Sequence, residues 1–353
     1  MKPIIFPENE TQFKTNGMGR IDPISCMVTE ERNGQFEMET VVSIDDPHFG
    51  DLKEGVILYS RHDDTPDKQP FEIYKISRPI NGKVAVYAHH ISYRTAKMTV
   101  MPFTANSIGT AFSGLKSHTI GGCDFNFWTD KTTEGSFKVS APATLRSRLA
   151  ENQGSILDVY GTGEYEWDHF NIKLHLHRGS DTGVVVKYGK NITDITKVTD
   201  ATNVWTGVCP YWTGQDDEGG DILVMLPEKV IYTDFVNDYA YKMVIPLDLT
   251  FEFETQPTEE QLRSRTQRYI EANAVKSIPT SIDVSFIALW QTEEYKDVAE
   301  LQRLHLCDSL TVQYTKLGIK NTAKIVKTKY NVLLERYDSL TIGETKTSLG
   351  SYS

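Results

Sequence analysis

Cysteine is scarce: Cys26, Cys123, Cys209 and Cys307 are the only four in 353 residues, and each stands alone. No CxxC or CxxH spacing occurs, which argues against a small zinc module, and free thiols in a reducing compartment are expected. Long apolar runs are missing too, with none near the roughly 18 residues of a membrane-spanning helix. The opening MKPIIFPENET offers one Lys and a three-residue apolar run before Pro and acids. That is not a secretory signal, and a product made and kept in a cytoplasm is expected. Basic charge is in deficit, with 37 Lys and Arg against 48 Asp and Glu and a net charge of −11. A tight grip on a phosphate backbone needs clustered cations, so it is excluded. No Walker loop and no GxGxxG opening a helix is present, which removes the common nucleotide-binding classes.

What is abundant is strand signal. Seventeen Tyr, fifteen Phe and five Trp, with frequent Thr and Val, favour pleated structure. Residues 1–98 read as a first β-barrel domain. Asn33-Gly34 and Asn81-Gly82 supply the positive φ angles of two-residue hairpin turns, and Phe36, Met38, Thr40, Val42 and Ile44 alternate onto one face. Residues 99–162 change character. NSIGTAFSGLKSH is helical, as is APATLRSRLAENQ with Leu145 and Leu149 four apart. Gly154 is placed to stop that helix and Ser155 to cap the next. A small α/β domain is expected here.

Strands return at 163–255. NIKLHLH sets Ile172, Leu174 and Leu176 against Lys173, His175 and His177, and LTFEFE sets Leu249, Phe251 and Phe253 against Glu252 and Glu254. A helix-bearing insertion is expected at 256–304. Thr258 and Gln261 form a capping box there, Leu262, Tyr269 and Ile270 mark the packed face, and a strand with Ile282, Val284 and Phe286 inward follows. A short helix is expected near 293–304. The closing strands, 305–350, repeat the strand–loop–strand–turn–strand rhythm of 55–91. A second barrel, 163–255 plus 305–350, interrupted by the insertion would explain the alternation. The fold class is therefore mainly β with α+β insertions.

Several constellations invite a chemical reading. Arg178-Gly-Ser-Asp181-Thr-Gly183 lies between strands, with Gly179 and Gly183 free to take turn angles and Arg178 able to pair with Asp181 across the turn. With a second turn at Tyr188-Gly189-Lys190-Asn191, the stretch reads as a three-stranded meander. Ser180 has no base or orienting group at useful spacing, so catalysis is not expected. His175 and His177 share a face but lack a third ligand. His89 and His90 point to opposite faces, and His90, in phase with Val84 and Val86, reads as a hydrogen-bonded core histidine. Glu164, Glu166 and Asp168 alternate along one strand, where a glycosidase needs two carboxylates facing across a cleft; a solvated face is the plainer reading. GQDDEGGD at 214–221 fails as an EF-hand loop, because Gly214 and Met225 fall at the first and twelfth places. It reads as a mobile acidic hairpin tip. The sequons at Asn9 and Asn191 carry little weight. No metal or cofactor is expected.

Four stretches carry a resemblance: YAHHISY at 87–93, GEYEWDHFNIKLHLHRGSDTGVVVKYGKNITDI at 163–195, HLCDSLTVQY at 305–314, and the closing LERYDSLTIGETKTSL. Together they resemble the amino-terminal hub region of siphophage tail proteins, known as tail-associated lysin, prophage endopeptidase tail or phage minor structural protein. The likeness implies a trimeric hub at the tail tip or baseplate of the virion, assembled in the host bacterial cytoplasm. Each chain would contribute two tube-like antiparallel β-barrels plus small α/β domains. It implies a homotrimer under the distal tail protein ring, with the tape measure protein as a further neighbour. Double-stranded DNA would pass without specific binding, and the host surface would be met only indirectly. Arg178, Gly179, Asp181, Gly183, Tyr188, Gly189, Lys190 and Asn191 would be structural motif residues. Longer relatives append a peptidase or hydrolase; this chain reaches Ser353 just past LTIGETKTSLG, and no enzymatic activity is expected of it. The alternatives are a cell-wall-degrading endopeptidase and a receptor- or glycan-binding baseplate module.

Overall fold

The computed structural model describes residues 2–77, 82–151, 153–187, 192–199, 204–215, 218–253, 255–272, 280–286, 303–314 and 319–343. Strands dominate. The hairpin expected at Asn33-Gly34 joins Ser25–Glu31 to Phe36–Ser43, with Asn33 at φ 53°. Phe36, Met38, Thr40 and Val42 are buried, as the alternation requires. Ile44 is exposed, because the strand ends at Ser43. A three-stranded antiparallel meander follows, Ile57–Arg61, Lys68–Ser77 and Lys83–His90, and its last strand pairs with Phe36–Ser43. Asn81 lies outside the described residues, while Gly82 holds φ +74°.

The second half of the chain builds the same ladder. Ile192–Thr199 pairs with Thr280–Phe286, which pairs with Arg336–Gly343. That strand pairs with Ile319–Asn331, which pairs with Ser309–Tyr314. Five strands thus recur in the same chain order and the same antiparallel pairing. What sits in the first unit as the tight turn after Glu31 becomes, in the second, a segment running from 200 to 279. The two units share one sheet, because residues 327–331 pair antiparallel with residues 27–31.

Between the units lies a region with its own small sheets. Helix Ile108–Ser117 begins at Ser107, whose side chain and that of Thr110 cap reciprocally. Leu145 and Leu149 are fully buried as expected, but the turn that carries Leu149, Ser147–Glu151, widens to π geometry. Gly154 takes φ +77°, and Ser155, at the N-cap of the next helix Ile156–Tyr160, makes no side-chain cap; Asp158 Oδ2 reaches back to accept from Gly154 N at 2.7 Å. Glu164–Asp168 and Asn171–His175 do not join the second ladder. They pair with each other and, through Asn171–His175, with Asn126–Thr129.

The segment that replaces the turn has its own core of Val208, Trp212, Leu226, Leu247, Leu249 and Leu262. Strand Gly207–Gln215 is central to it, flanked by Asp221–Met225, Ile231–Tyr232 and Val244–Asp248. Residues 249–253 of LTFEFE turn rather than extend: Leu249 is buried, Phe251 is 77% exposed, and Glu252 N donates to Leu249 O at 3.0 Å; Glu254 lies outside the described residues. Asp248 breaks the alternation by accepting from Thr250 N at 2.9 Å, a local bond that competes with a ladder. The Thr258–Gln261 capping box forms in both directions, at 2.8 and 3.2 Å, and opens helix Glu259–Ala272. Leu262, Tyr269 and Ile270 pack on the core. Strand Thr280–Phe286 is present; the inward placing of its side chains and the helix expected near 293–304 lie outside the described residues. Among the described residues, no helix is long and apolar enough to cross a membrane.

Candidate functional site

The RGSDTG stretch does not make a meander. Asp181–Lys187 leaves the neighbouring strand Asn171–His175 and pairs in parallel with Ser309–Tyr314. Two features turn the chain. Arg178 is drawn inward, its Nη1 donating to Glu30 Oε1 at 3.0 Å and to Tyr165 O at 3.2 Å. Gly179 follows at φ +78°, and a Cβ there would stand 2.4 Å from both C and O of Cys307. Only glycine fits such a backbone approach. Arg178 therefore pairs with Glu30 rather than with Asp181, whose Oδ1 accepts from Gly183 N at 3.3 Å. Gly183 takes φ +63° in open space. Tyr188, Gly189, Lys190 and Asn191 lie outside the described residues.

Two stretches that carry the resemblance meet here. Ser180 N and Oγ donate to Asp308 Oδ1 at 2.8 and 3.2 Å, and Ser309 N donates to Ser180 O at 2.8 Å. Asp308 Oδ2 accepts from His305 N at 2.8 Å, and His305 Nε2 lies 3.0 Å from Asp64 Oδ1. Hydrogen bonds to Asp308 and Asp64 outweigh burial and push the His305 imidazole up to about 10, so it is a cation at neutral pH. Ser180 is thus a turn hydroxyl held by a carboxylate.

A second knot adjoins the first. The Glu164 carboxylate receives Arg32 Nη1 at 2.8 Å, Lys324 Nζ at 2.8 and 3.0 Å, and Arg178 N at 2.5 Å. These groups come from the first hairpin, the middle region and the closing meander. Asn33 adds a clamp, its Nδ2 donating to Gly163 O at 2.8 Å while its Oδ1 accepts from Tyr165 N at 2.7 Å. Although burial works against its charge, the Glu30 carboxylate, with Glu166 nearby, holds the Arg178 guanidinium above its usual range. Sequence reasoning did not single out Glu30, Arg32, Asn33 as a clamp, or Lys324. One signal was present: Cys26, Val28 and Glu30 share strand phase, so an acid follows two apolar residues onto a buried face.

The acid row is paired rather than merely solvated, with Glu164 buried and Glu166 and Asp168 half-buried. Glu166 meets Lys173 at 2.9 Å and His175 at 2.7 Å, and Asp168 meets His169 at 2.8 Å and Lys173 at 3.0 Å. The His169 hydrogen bond, then Lys173 and Gln69, outweigh burial and hold Asp168 well below the usual carboxylate range. The facing strand Asn171–His175 supplies Lys173 and His175 to Glu166 and Lys173 to Asp168 across the ladder, whereas Glu164 draws Arg32 and Lys324 from elsewhere. His175 is thus a hydrogen-bond partner of Glu166 beside Trp128, with ring centroids 5.0 Å apart. His177 makes no part of this row.

His90 is fully buried and neutral, as its phase suggests. Ser92 N donates to its Nδ1 at 3.2 Å, which leaves Nε2 to donate to Gln69 Oε1 at 3.2 Å; burial, with His62 and His169 nearby, holds its pKa well below normal. The four thiols are free, and burial pushes Cys26 and Cys307 up to about 12, which keeps them un-ionised. Among the described residues, no group of three or more His, Cys, Asp or Glu is placed to hold a metal ion. Strands Gly207–Gln215 and Asp221–Met225 make the hairpin flanking GQDDEGGD; Asp216 and Asp217 lie outside the described residues.

A further cluster ties the inserted segment down. Arg265, on helix Glu259–Ala272, is buried, bonded to Asp158 and, through Nη2, to Glu252 Oε1 at 3.0 Å. Coulombic attraction from Asp158 and Glu252 overcomes burial and raises its pKa.

With this geometry in place, comparison with known proteins becomes informative. Residues 180–353 match the family model described as prophage endopeptidase tail. This chain resembles prophage tail proteins. The matched part contains the HLCDSLTVQY and LERYDSLTIGETKTSL stretches; YAHHISY precedes it. Among solved structures, prophage tail protein gp18 from Listeria monocytogenes superposes with a TM-score of 0.60 at 16% identity, covering 99% of this chain and 96% of that one. A tail protein from Neisseria meningitidis gives 0.61 at 8% identity, covering 97% and 96%. The 43 kDa tail protein of prophage MuSo2 from Shewanella oneidensis gives 0.62 at 9% identity, covering 98% and 99%. At such identities the likeness is one of fold, and it runs the length of the chain. No curated protein matches the sequence.

Proposed function

We propose that the chain is a structural hub of a phage tail, three copies forming a ring that continues the tail tube beneath the distal tail protein. The observation that carries this is the five-strand ladder built twice in one chain and joined in one sheet. Each ladder is read as one tube-like barrel wall, so three chains would present six similar walls and give a threefold ring sixfold pseudo-symmetry. The region from 99 to 175 and the segment after Thr199 are then braces on this wall.

Passage, not binding, is the proposed business of the bore. A net charge of −11 per chain repels passing phosphates, whereas a basic lining would hold them through counterion release. Turnover plays no part in this reading. Glu164, Glu166 and Asp168, the acids with the most enzyme-like spacing, are each engaged by Lys, Arg or His. The tape measure protein above and the host surface below would be reached through neighbouring rings.

The test is the mass of the complex formed with the distal tail protein, followed by low-resolution imaging. Particles with three copies of this chain and threefold projections are expected. A single copy per complex at saturating concentration overturns the proposal.

A further inference from the structure

We infer that the ring closes by antiparallel β-pairing between strand Ile192–Thr199 of one protomer and residues 74–77 of the next. The inference rests on the ring reading above and adds the contact that would build it.

The argument starts from a contact inside the chain. In the second ladder the long strand Ile319–Asn331 spends its first half on Ser309–Tyr314, residue by residue from Tyr314↔Ile319 to Ser309↔Lys324. On the same side its second half, 327–331, pairs with 27–31 of the first ladder. The first ladder has the same strand in the same place. Residues 68–72 of Lys68–Ser77 pair with Ile57–Arg61, ending at Ile57↔Glu72. Counted from Lys324 and from Glu72, the residues Lys327 and Lys75 hold the same position. Yet beyond Ile73, among the described residues, that side of the strand has no ladder partner; residues 75–77 pair only with Lys83–His90.

The other half of the contact is duplicated as well. Ser25–Glu31 opens the first ladder and is covered on its outer side by 327–331. Its counterpart, Ile192–Thr199, opens the second ladder and pairs, among the described residues, only with Thr280–Phe286. So the repeat contains two copies of one joint. One copy is made within the chain; the two halves of the other are open, towards opposite ends of the sheet path. A chain cannot close that joint on itself, but a second copy placed head to tail can, and repetition of such a heterologous contact gives a ring if the rotation closes. An open strand edge is a template for pairing. Lys75, at the edge, discourages promiscuous partners, while its counterpart Lys327 already lies opposite Glu31 in the closed joint.

An added lysine supplies the test. In the register of the closed joint, Lys75 of one copy and position 198 of the next lie on the same face, about 8 Å apart on neighbouring strands. Heavy-isotope-labelled and unlabelled Val198→Lys chains are mixed, assembled with the distal tail protein, treated with a lysine-directed cross-linker and digested for mass spectrometry. A heavy–light cross-link between Lys75 and position 198 is expected, lost when Lys75→Arg is added to a variant that still assembles. Threefold particles whose heavy–light cross-links omit this pair overturn the inference and leave the ring standing. Complexes holding one copy of the chain overturn both.

Discussion

Arg178 donates to Glu30 at 3.0 Å across 148 positions of sequence, and both side chains are largely buried. The pair joins the first hairpin to the point where the chain passes from the middle region into the second ladder. Removing one member strands the other charge. Arg178→Met is expected to cost about 3–5 kcal/mol, read from the midpoint of a urea unfolding curve. The double variant Arg178→Met with Glu30→Met is expected to recover part of that loss, because no lone charge is left inside. An Arg178→Met protein as stable as the parent would show that Glu30 has other support.

The two glycines of RGSDTG separate space from backbone angle. Gly179→Ala meets both a positive φ and the Cys307 backbone at 2.4 Å, while Gly183→Ala meets a positive φ in open space. Gly183→Ala is expected to cost about 1–2 kcal/mol, and Gly179→Ala more, since backbone must shift as well. Melting temperatures of the two variants, measured side by side, check the order.

Asn33 does two jobs, and Asn33→Gly removes one of them. Glycine keeps the turn angle of 53° but leaves Gly163 O and Tyr165 N without their partner. A loss of roughly 1–3 kcal/mol per stranded buried group is expected. Hydrogen exchange gives the sharper readout: the Tyr165 amide should lose protection while the Phe36–Ser43 ladder keeps it.

His305 makes stability depend on pH. Its folded pKa is raised to about 10, so the stabilisation is full below the unfolded value, roughly 6.5. It then fades as pH climbs towards the folded value. Melting temperature should therefore fall across that window in the parent and fall less in His305→Gln. Identical slopes would mean that the Asp64 and Asp308 contacts contribute nothing to its proton affinity.

Local pattern made much of this legible. Alternation placed Phe36, Met38, Thr40 and Val42, strand phase buried His90, and the Thr258–Gln261 spacing capped its helix, because each depends on neighbours in the chain. Where long-range partners decide, the reading failed. Nothing near RGSDTG announces Glu30 or Cys307, so a meander looked sufficient. LTFEFE alternates well, but Asp248 and Thr250 bond locally and Arg265 draws Glu252 away from strand geometry. Glu164, Glu166 and Asp168 looked solvated because Arg32, Lys173 and Lys324 come from a turn and two other strands. Glu30 could have been flagged, since a lone acid in phase with Cys26 and Val28 demands a buried cation.

The joint between 27–31 and 327–331 ties together strands about three hundred positions apart in the chain. During synthesis the ribosome releases the first of these strands long before the second exists, a wait of roughly 15–60 s at ordinary bacterial elongation rates. For that interval the nascent chain carries a naked template for misassociation. Chaperone occupancy of early nascent chains, and aggregation of prematurely terminated ones, are the costs this architecture imposes on the cell that makes it.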